Sequence, residues 1–245
     1  MIRLDGCALS EMGPEDDVND DAWALDAVLG VFAVADGMGG LPDGARASHL
    51  ATQVFMQEMH ALDAASRVSE SHLRQAVAKA NGEILAVAAA DPLLAGLGTT
   101  LVAAVMDGAQ GKVVHVGDSR AYLYRGGKLT QLTRDHSLVA ELVEGDRLSP
   151  EAAASHPLRN VLSRHLGSEN HAEPDFHDVC LEPDDWLVLC TDGVTKALST
   201  EDLEHVVRKK AKKNAEKLCR GVMDAALARR PQDDVTLMVV RLGGK

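Results

Sequence analysis

Aspartates at the ends of apolar runs are the residues of this sequence best placed to do chemistry. Val31-Phe32-Ala33-Val34-Ala35 runs into Asp36-Gly37, Trp186-Leu187-Val188-Leu189-Cys190-Thr191 into Asp192-Gly193, and Val113-Val114-His115-Val116-Gly117 into Asp118. Asp233-Asp234 opens the run Val235 to Val240, and Asp20-Asp21 is a further pair. Short apolar runs of this kind read as buried strands, so each acid stands where a strand meets a loop. Any one of them is explained by turn chemistry, since Asp-Gly is a common turn dipeptide. Several aimed at one place would repel unless a divalent cation lay between them. Carboxylates without imidazole or thiolate partners select hard ions such as magnesium or manganese.

Other chemistries lack their residues. No cysteine is followed by an arginine six residues on, which removes the cradle of a cysteine-dependent phosphatase, and no Gly-x-Ser-x-Gly elbow occurs. Gly111-Lys112 and Gly127-Lys128 lack the Ser or Thr of a P-loop. A formal charge of -12 over 245 residues opposes a nucleic-acid partner, whose phosphates need a basic surface. The basic run from Arg208 to Lys213 reads as a solvated helix end. Cys7, Cys180, Cys190 and Cys219 stand alone, with no zinc spacing, as expected in a reducing compartment. The N-terminus lacks a signal peptide's basic start and apolar run, and the most apolar stretch, residues 84–106, is broken by Asp91, Pro92 and glycines. A soluble cytoplasmic protein with no membrane segment is expected.

The elements that must position the acids are ten strand-like segments, at residues 2–9, 22–25, 29–35, 99–106, 112–116, 121–124, 129–132, 176–181, 185–190 and 235–242. Gly126-Gly127 between Tyr124-Arg125 and Lys128-Leu129 predicts a tight hairpin. Leu50, Val54, Phe55, Met59 and Leu62 form one helical stripe, and Leu73, Val77, Ala80, Ile84 and Val87 another. Ser199 and Asp202 resemble a capping box before Leu203, Val206 and Val207, while Leu218, Val222 and Ala225 continue the helical period. Ser149-Pro150-Glu151 opens a short helix. Hairpins with segregated helices predict an α+β fold in a single domain, residues 1–245, with helices covering sheet faces.

In chain order, Asn19-Asp20-Asp21, Val34-Ala35-Asp36-Gly37-Met38-Gly39-Gly40, Gly98-Thr99-Thr100, Val116-Gly117-Asp118-Ser119-Arg120, Asp135-His136-Ser137, Arg159-Asn160-Val161-Leu162 with Gly167, Cys190-Thr191-Asp192-Gly193 and Asp233-Asp234-Val235-Thr236 span nearly the whole chain. This series resembles bacterial metal-dependent protein phosphatases of the protein phosphatase 2C family. The resemblance implies a four-layer αββα sandwich of two antiparallel β-sheets flanked by helices, with metal ions in a cleft at one end of the strands. It implies that Asp36 bridges two ions with help from the Gly37 carbonyl, that Asp192 and Asp233 complete the first ion's protein ligands, and that Asp20 serves the second where the family usually has Glu. Asp21 would hold a water beside the ions. Asp118 would join Asp192 at a third, looser ion, which makes Asp36, Asp192 and Asp118 the expected catalytic carboxylates. The expected cofactor is Mn2+ or Mg2+, as two ions with a possible third. Two such ions about 3.5–4 Å apart share a water, lower its pKa and aim it in line with phosphorus, so no covalent phosphoenzyme is needed.

The sequence also departs from the family pattern. Asp16 occupies the position of an arginine that grips the substrate phosphate, and no other arginine lies between Arg3 and Arg46. A carboxylate there loses a charge-assisted fork and repels a dianion, on the order of a few kcal/mol if partly shielded. Arg46 is the nearest candidate substitute. Asp20 is one methylene shorter than Glu, Leu41 and Ala45 make their loop less polar, and Met38 stands where eukaryotic relatives carry a leaving-group acid. Residues 144–165 are expected to form the family's variable flap, with Arg147, Arg159 and Arg164 available to a phosphoprotein.

The expected activity is that of a monomeric protein serine/threonine phosphatase in bacterial signalling, hydrolysing phosphoserine and phosphothreonine and opposing a Ser/Thr kinase. Asp16 leaves open another class, a phosphatase-like regulatory binding protein that hydrolyses poorly. A hydrolase of small phosphate esters is the more remote alternative.

Overall fold

Among the described residues the strands number ten and divide equally between two antiparallel sheets. The computed structural model describes residues 3–14, 17–38 and 43–243. The first sheet runs β1 (Leu4–Glu11), β10 (Val235–Leu242), β9 (Trp186–Cys190), β6 (Arg120–Arg125) and β7 (Lys128–Gln131). The second runs β2 (Asp21–Asp26), β3 (Val31–Asp36), β4 (Leu101–Asp107), β5 (Gln110–Val116) and β8 (Asp175–Cys180). Helices α1 (Gly44–His60), α2 (Ala64–Arg67) and α3 (Glu70–Ala90) follow β3; α4 (Leu138–Glu144) and α5 (Pro150–Ala154) follow β7; α6 (Asp192–Ala197), α7 (Thr200–Lys210) and α8 (Ala215–Leu227) follow β9.

Strand periodicity builds three apolar layers. In β3, Val31, Ala33 and Ala35 pack with Ala47, Ala51 and Phe55 of α1 and Val77 of α3. Phe32 and Val34 belong to the layer between the sheets, with Leu187 and Leu189 of β9 and Met238 and Val240 of β10. Val235, Leu237 and Val239 face the other way, onto Leu218 and Val222 of α8. Central strands buried on both faces must be apolar at every position, so they read as continuous runs rather than alternations. The result is the expected αββα sandwich.

Local signals hold in detail. Gly126 and Gly127 take φ of 59° and 90°, the paired positive values of a type I′ hairpin turn between β6 and β7. Ser199 accepts a hydrogen bond from the Asp202 amide at the start of α7, and Ser149 from Ala152 at the start of α5. Helices α2, α4 and α6 were not foreseen; at four to seven residues they are too short to show a repeating stripe. The first expected strand starts at Leu4 and runs to Glu11, because its pairing with β10 extends to Glu11 opposite Val235; Ile2 lies outside the described residues.

Candidate metal centre

Asp36 ends β3 and Asp21 begins β2, and the register places them directly opposite one another. Cross-strand partners share a sheet face, so two carboxylates meet where like charges repel. Asp36 has the parity of Phe32 and Val34, which directs it to the end of the layer between the sheets. Asp21 is only 5% exposed and reaches the other sheet, where the Thr191 hydroxyl donates to its Oδ2 over 2.8 Å. Thr191 precedes α6 yet gives that helix no side-chain cap, its hydroxyl being engaged by Asp21.

The Gly98-Thr99-Thr100 motif holds Asp36 by its backbone. Thr99 Oγ1 and the Thr100 amide both donate to the Asp36 carbonyl, at 2.8 and 2.9 Å, and the Asp36 amide donates to Thr100 Oγ1 at 3.0 Å. Thr100 Oγ1 is in turn 2.6 Å from Ser119 Oγ, which ties Asp36 to the segment carrying Asp118. Sequence reasoning found this motif without its role, because the contacts join residues more than sixty positions apart.

Asp192 opens α6, and Asp233 approaches it from the residues before β10. Between them stands Lys196, whose ammonium lies 2.6 Å from Asp192 Oδ2 and 2.7 Å from Asp233 Oδ2. The sequence reading missed Lys196; its one available signal was the four-residue spacing from Asp192, which matters only once α6 is known to be a helix. The neighbouring Asp234 is buried and points elsewhere, accepting the Gly13 amide at 2.8 Å and the Asp20 amide at 2.5 Å. It thereby fastens the segment before β2 to the start of β10. Gly193 lets α6 press onto this strand: a Cβ there would fall 1.9 Å from the Asp234 carbonyl oxygen.

Asp118 follows β5 on a turn whose Gly117 has φ of 112°. His136 grips this turn twice: its amide donates to the Gly117 carbonyl at 2.8 Å and its Nδ1 accepts the Gly117 amide at 3.1 Å. Arg120 forks onto Asp135, donating from Nε at 2.8 Å and from Nη2 at 2.6 Å, so one acid near Asp118 is neutralised by a fixed cation.

The electrostatics show how closely the acids gather. Burial pushes Asp36 well above the usual carboxylate range, and Asp21, Asp192, Asp118 and Asp233 all push it further. Asp21 rises to about 8, chiefly through burial, against the lowering effect of its threonine hydrogen bonds. Asp118 rises to about 7 through burial and then Asp192. Asp192 is raised by burial despite the opposing field of Lys196. Thus the expected Asp21, Asp36, Asp118, Asp192 and Asp233 share one electrostatic cluster.

The donors fit a hard divalent cation. They are oxygens, and Asp192 Oδ1 is buried without a hydrogen-bond partner. Among the described residues no three Asp, Glu, His or Cys side chains stand close enough around one point to form a ready ligand set.

Of the other expected residues, Gly37 and Asp20 adjoin the cluster, the Gly37 amide donating to the Asp20 carbonyl at 3.0 Å, and the rest lie farther off or outside the described residues. Asp20 Oδ1 accepts the Ala45 amide at 2.9 Å, at the start of α1, where Asp43 supplies no side-chain cap. Arg46 lies 3.7 Å from Asp43 and lines a small pocket with His49 and Gln53, separate from the groove bordered by Asp118, Asp192 and Asp233. Asp16, Gly39, Gly40 and Leu41 lie outside the described residues. In the expected flap, Arg164 is committed to Asp175 at 2.8 Å, whereas Arg159 lines the groove. Arg147 lines a smaller pocket with Asp146 and Ser149.

The sandwich and the acidic cluster at its end define a class, the metal-dependent protein phosphatases of double-sheet architecture. The sequence profile of the family Protein phosphatase 2C matches residues 14–229, and the chain belongs to that family. A serine/threonine phosphatase, Stp, of Listeria monocytogenes is 40% identical over 183 residues, 74% of this chain and 72% of its own. The Stp of Listeria welshimeri is 37% identical over 213 residues, covering 86% of this chain and 83% of its own. The crystal structure of the serine/threonine phosphatase PstP/Ppp of Mycobacterium tuberculosis matches 100% of both chains, with a TM-score of 0.89 and 33% identity. The catalytic domain of PstP in complex with two manganese ions likewise matches 100% of both chains, with a TM-score of 0.86 and 29% identity. No helix among the described residues is long and apolar enough to cross a membrane.

Proposed function

We propose that this chain is a metal-dependent protein serine/threonine phosphatase that hydrolyses phosphoserine and phosphothreonine in proteins and opposes a Ser/Thr kinase. The observation that carries the reading is the gathering of Asp21, Asp36, Asp118, Asp192 and Asp233, from five separate segments, into one electrostatic cluster. Five carboxylates gathered at one end of the sandwich with Lys196 as the one cation in direct contact with any of them, among the described residues, carry more negative charge than that ammonium offsets, and a divalent ion would supply the rest. Membership of the family and the named activity of the Listeria relatives support the same conclusion.

In this reading Asp36, Asp192 and Asp233, with the Gly37 carbonyl, hold one divalent ion, and Asp36 and Asp20 hold another. The manganese complex of PstP supports manganese, with magnesium as the alternative. Asp118 and Asp192 are assigned to a third ion. Bound ions would lower the pKa of a water and offset the charge of the phosphoryl oxygens. The protein's own part is placement. Thr99 and Thr100 fix Asp36, His136 fixes the turn that carries Asp118, and Asp21 orients water with the oxygen it does not give to Thr191. The flap, residues 144–165, forms one side of the groove through Pro150, Ala153 and Arg159 and is assigned to substrate choice. A monomer acting in the cytoplasm on phosphorylated proteins completes the proposal.

The test is phosphate release from a phosphothreonine peptide and from para-nitrophenyl phosphate, with manganese or with chelator, in the wild type and in Asp192→Asn. Release from the peptide that chelator abolishes and Asp192→Asn lowers by about a hundredfold or more is the expected result, the loss of one charged ligand being worth several kcal/mol. Metal binding without release from either substrate would replace it with a regulatory binding protein.

A further inference from the structure

Lys196 has no part in the reading above, yet it stands between two of the assigned first-ion ligands. It lies one helical turn after Asp192 on α6, so its stem rises on the face that carries that carboxylate. Its ammonium contacts Oδ2 of Asp192 and Oδ2 of Asp233 at nearly equal distances, 2.6 and 2.7 Å. A cation between two carboxylate oxygens is what a divalent ion would be.

We propose that Lys196 is an internal counter-cation that holds Asp192 and Asp233 together in the ion-free protein and competes with the divalent ion for them, so that the ion binds only by displacing the ammonium. The proposal rests on the assignment of Asp192 and Asp233 as ligands. Three further observations support it. The ammonium satisfies one oxygen of Asp192 and leaves the other, buried Oδ1 without a partner, so the lysine is an incomplete substitute for a multivalent ion. A divalent ion ligated by Oδ2 of Asp192 and Oδ2 of Asp233 would stand within a few ångströms of the ammonium now in contact with both atoms, with no carboxylate between the two cations to screen their repulsion. The lysine also has somewhere to go: its side chain is 41% exposed and lines a groove of about 1460 Å³, so its flexible stem can swing away from the carboxylates while α6 stays in place.

Two consequences follow for the ion-free chain. Lys196 offsets the repulsion between Asp192 and Asp233, and so supports the packing of α6 against the start of β10. It also weakens the apparent affinity for the ion, because every binding event must break both ion pairs. Occupancy would then follow the supply of divalent cation over a higher concentration range than the carboxylates alone would set.

The experiment is isothermal titration of manganese into the metal-free full chain, for the wild type, Lys196→Gln, Lys196→Met, Lys196→Arg and Asp192→Asn, with circular dichroism to establish folding. Gln and Met should bind manganese on the order of tenfold more tightly than the wild type, a shift equivalent to about 1.4 kcal/mol. Their ion-free melting temperatures should fall, while Arg, which keeps the charge, should bind no more tightly than the wild type. Unchanged or weaker binding by folded Gln and Met variants would overturn the proposal. If Asp192→Asn binds manganese as well as the wild type, the ligand assignment itself fails; if Asp192→Asn loses binding and the lysine variants gain none, the competition alone fails.

Discussion

Asp21 and Thr191 join the two sheets of the sandwich at its acidic end, the hydroxyl of one donating to the carboxylate of the other over 2.8 Å. The same hydroxyl oxygen accepts the Thr236 amide at 3.1 Å, so one side chain serves β2 and β10 together. Thr191→Val keeps the shape and removes both bonds, leaving the buried Thr236 amide without this acceptor and the buried Asp21 carboxyl with one threonine partner fewer. A loss of about 1–3 kcal/mol is expected from urea denaturation of the metal-free protein. Thr191→Ser, which keeps the hydroxyl, should lose less.

The raised acids set a pH dependence of definite sign. Asp21 at about 8 and Asp118 at about 7 retain protons in the folded, ion-free chain that the unfolded chain has released near its ordinary 3.8. The folded state therefore binds more protons, and stability falls as pH rises through those values. His115, pulled down to about 3 by burial and then by His136, acts in the opposite direction only below its unfolded value of 6.5. Between about pH 6.5 and 8.5 the chelated protein should lose on the order of 2 kcal/mol, seen as a falling melting temperature. Manganese should reverse most of that fall, and its binding at pH 6.5 should release protons, measurable by calorimetry in buffers of different ionisation enthalpy. A flat or rising stability above pH 6.5 would refute the assignment of protonated acids.

What the sequence makes legible here is local. Central strands such as β3 and β9 stand out because both their faces are buried, and the acids at their ends stand out because nothing else interrupts such runs. The longer helices show through stripes such as Leu73, Val77, Ala80 and Ile84. The contacts that give the acids their positions are not local. Asp20 finds the amide of Ala45, Asp234 the amides of Gly13 and Asp20, and Thr100 the hydroxyl of Ser119, each through the folding of distant segments onto one end of the sandwich. Lys196 escaped for the same reason, since its significance depends on Asp233 arriving from another strand.

Asp16 offers a test grounded in sequence alone. Where the family carries an arginine for the substrate phosphate, this chain carries a charge of opposite sign, and Arg46 is engaged near Asp43 rather than lining the groove beside Asp192. Asp16→Arg should lower the Michaelis constant for para-nitrophenyl phosphate on the order of tenfold, by replacing repulsion with a fork of two charge-assisted hydrogen bonds. Steady-state kinetics at fixed manganese settles the matter. An unchanged or higher Michaelis constant would show that this position does not meet the phosphate.

Gly193 and Gly82 provide a matched pair for the packing of α6. A Cβ on Gly193 would come within 1.9 Å of the Asp234 carbonyl oxygen, a backbone atom that cannot rotate away, whereas a Cβ on Gly82 of α3 would meet nothing within 4 Å. Gly193→Ala must therefore push α6 off the start of β10, moving Asp192 and Lys196 away from Asp233. A cost of about 3 kcal/mol or more is expected, at the upper end of overpacking. Gly82→Ala removes only the flexibility of an exposed helical glycine and should raise stability by about 0.5–1 kcal/mol. Thermal denaturation of both variants, with manganese titrated into whatever folded Gly193→Ala can be recovered, separates the two effects. Equal melting temperatures for the pair, or wild-type manganese affinity in Gly193→Ala, would mean that the close approach of α6 to Asp234 is not what sets the spacing of the acids.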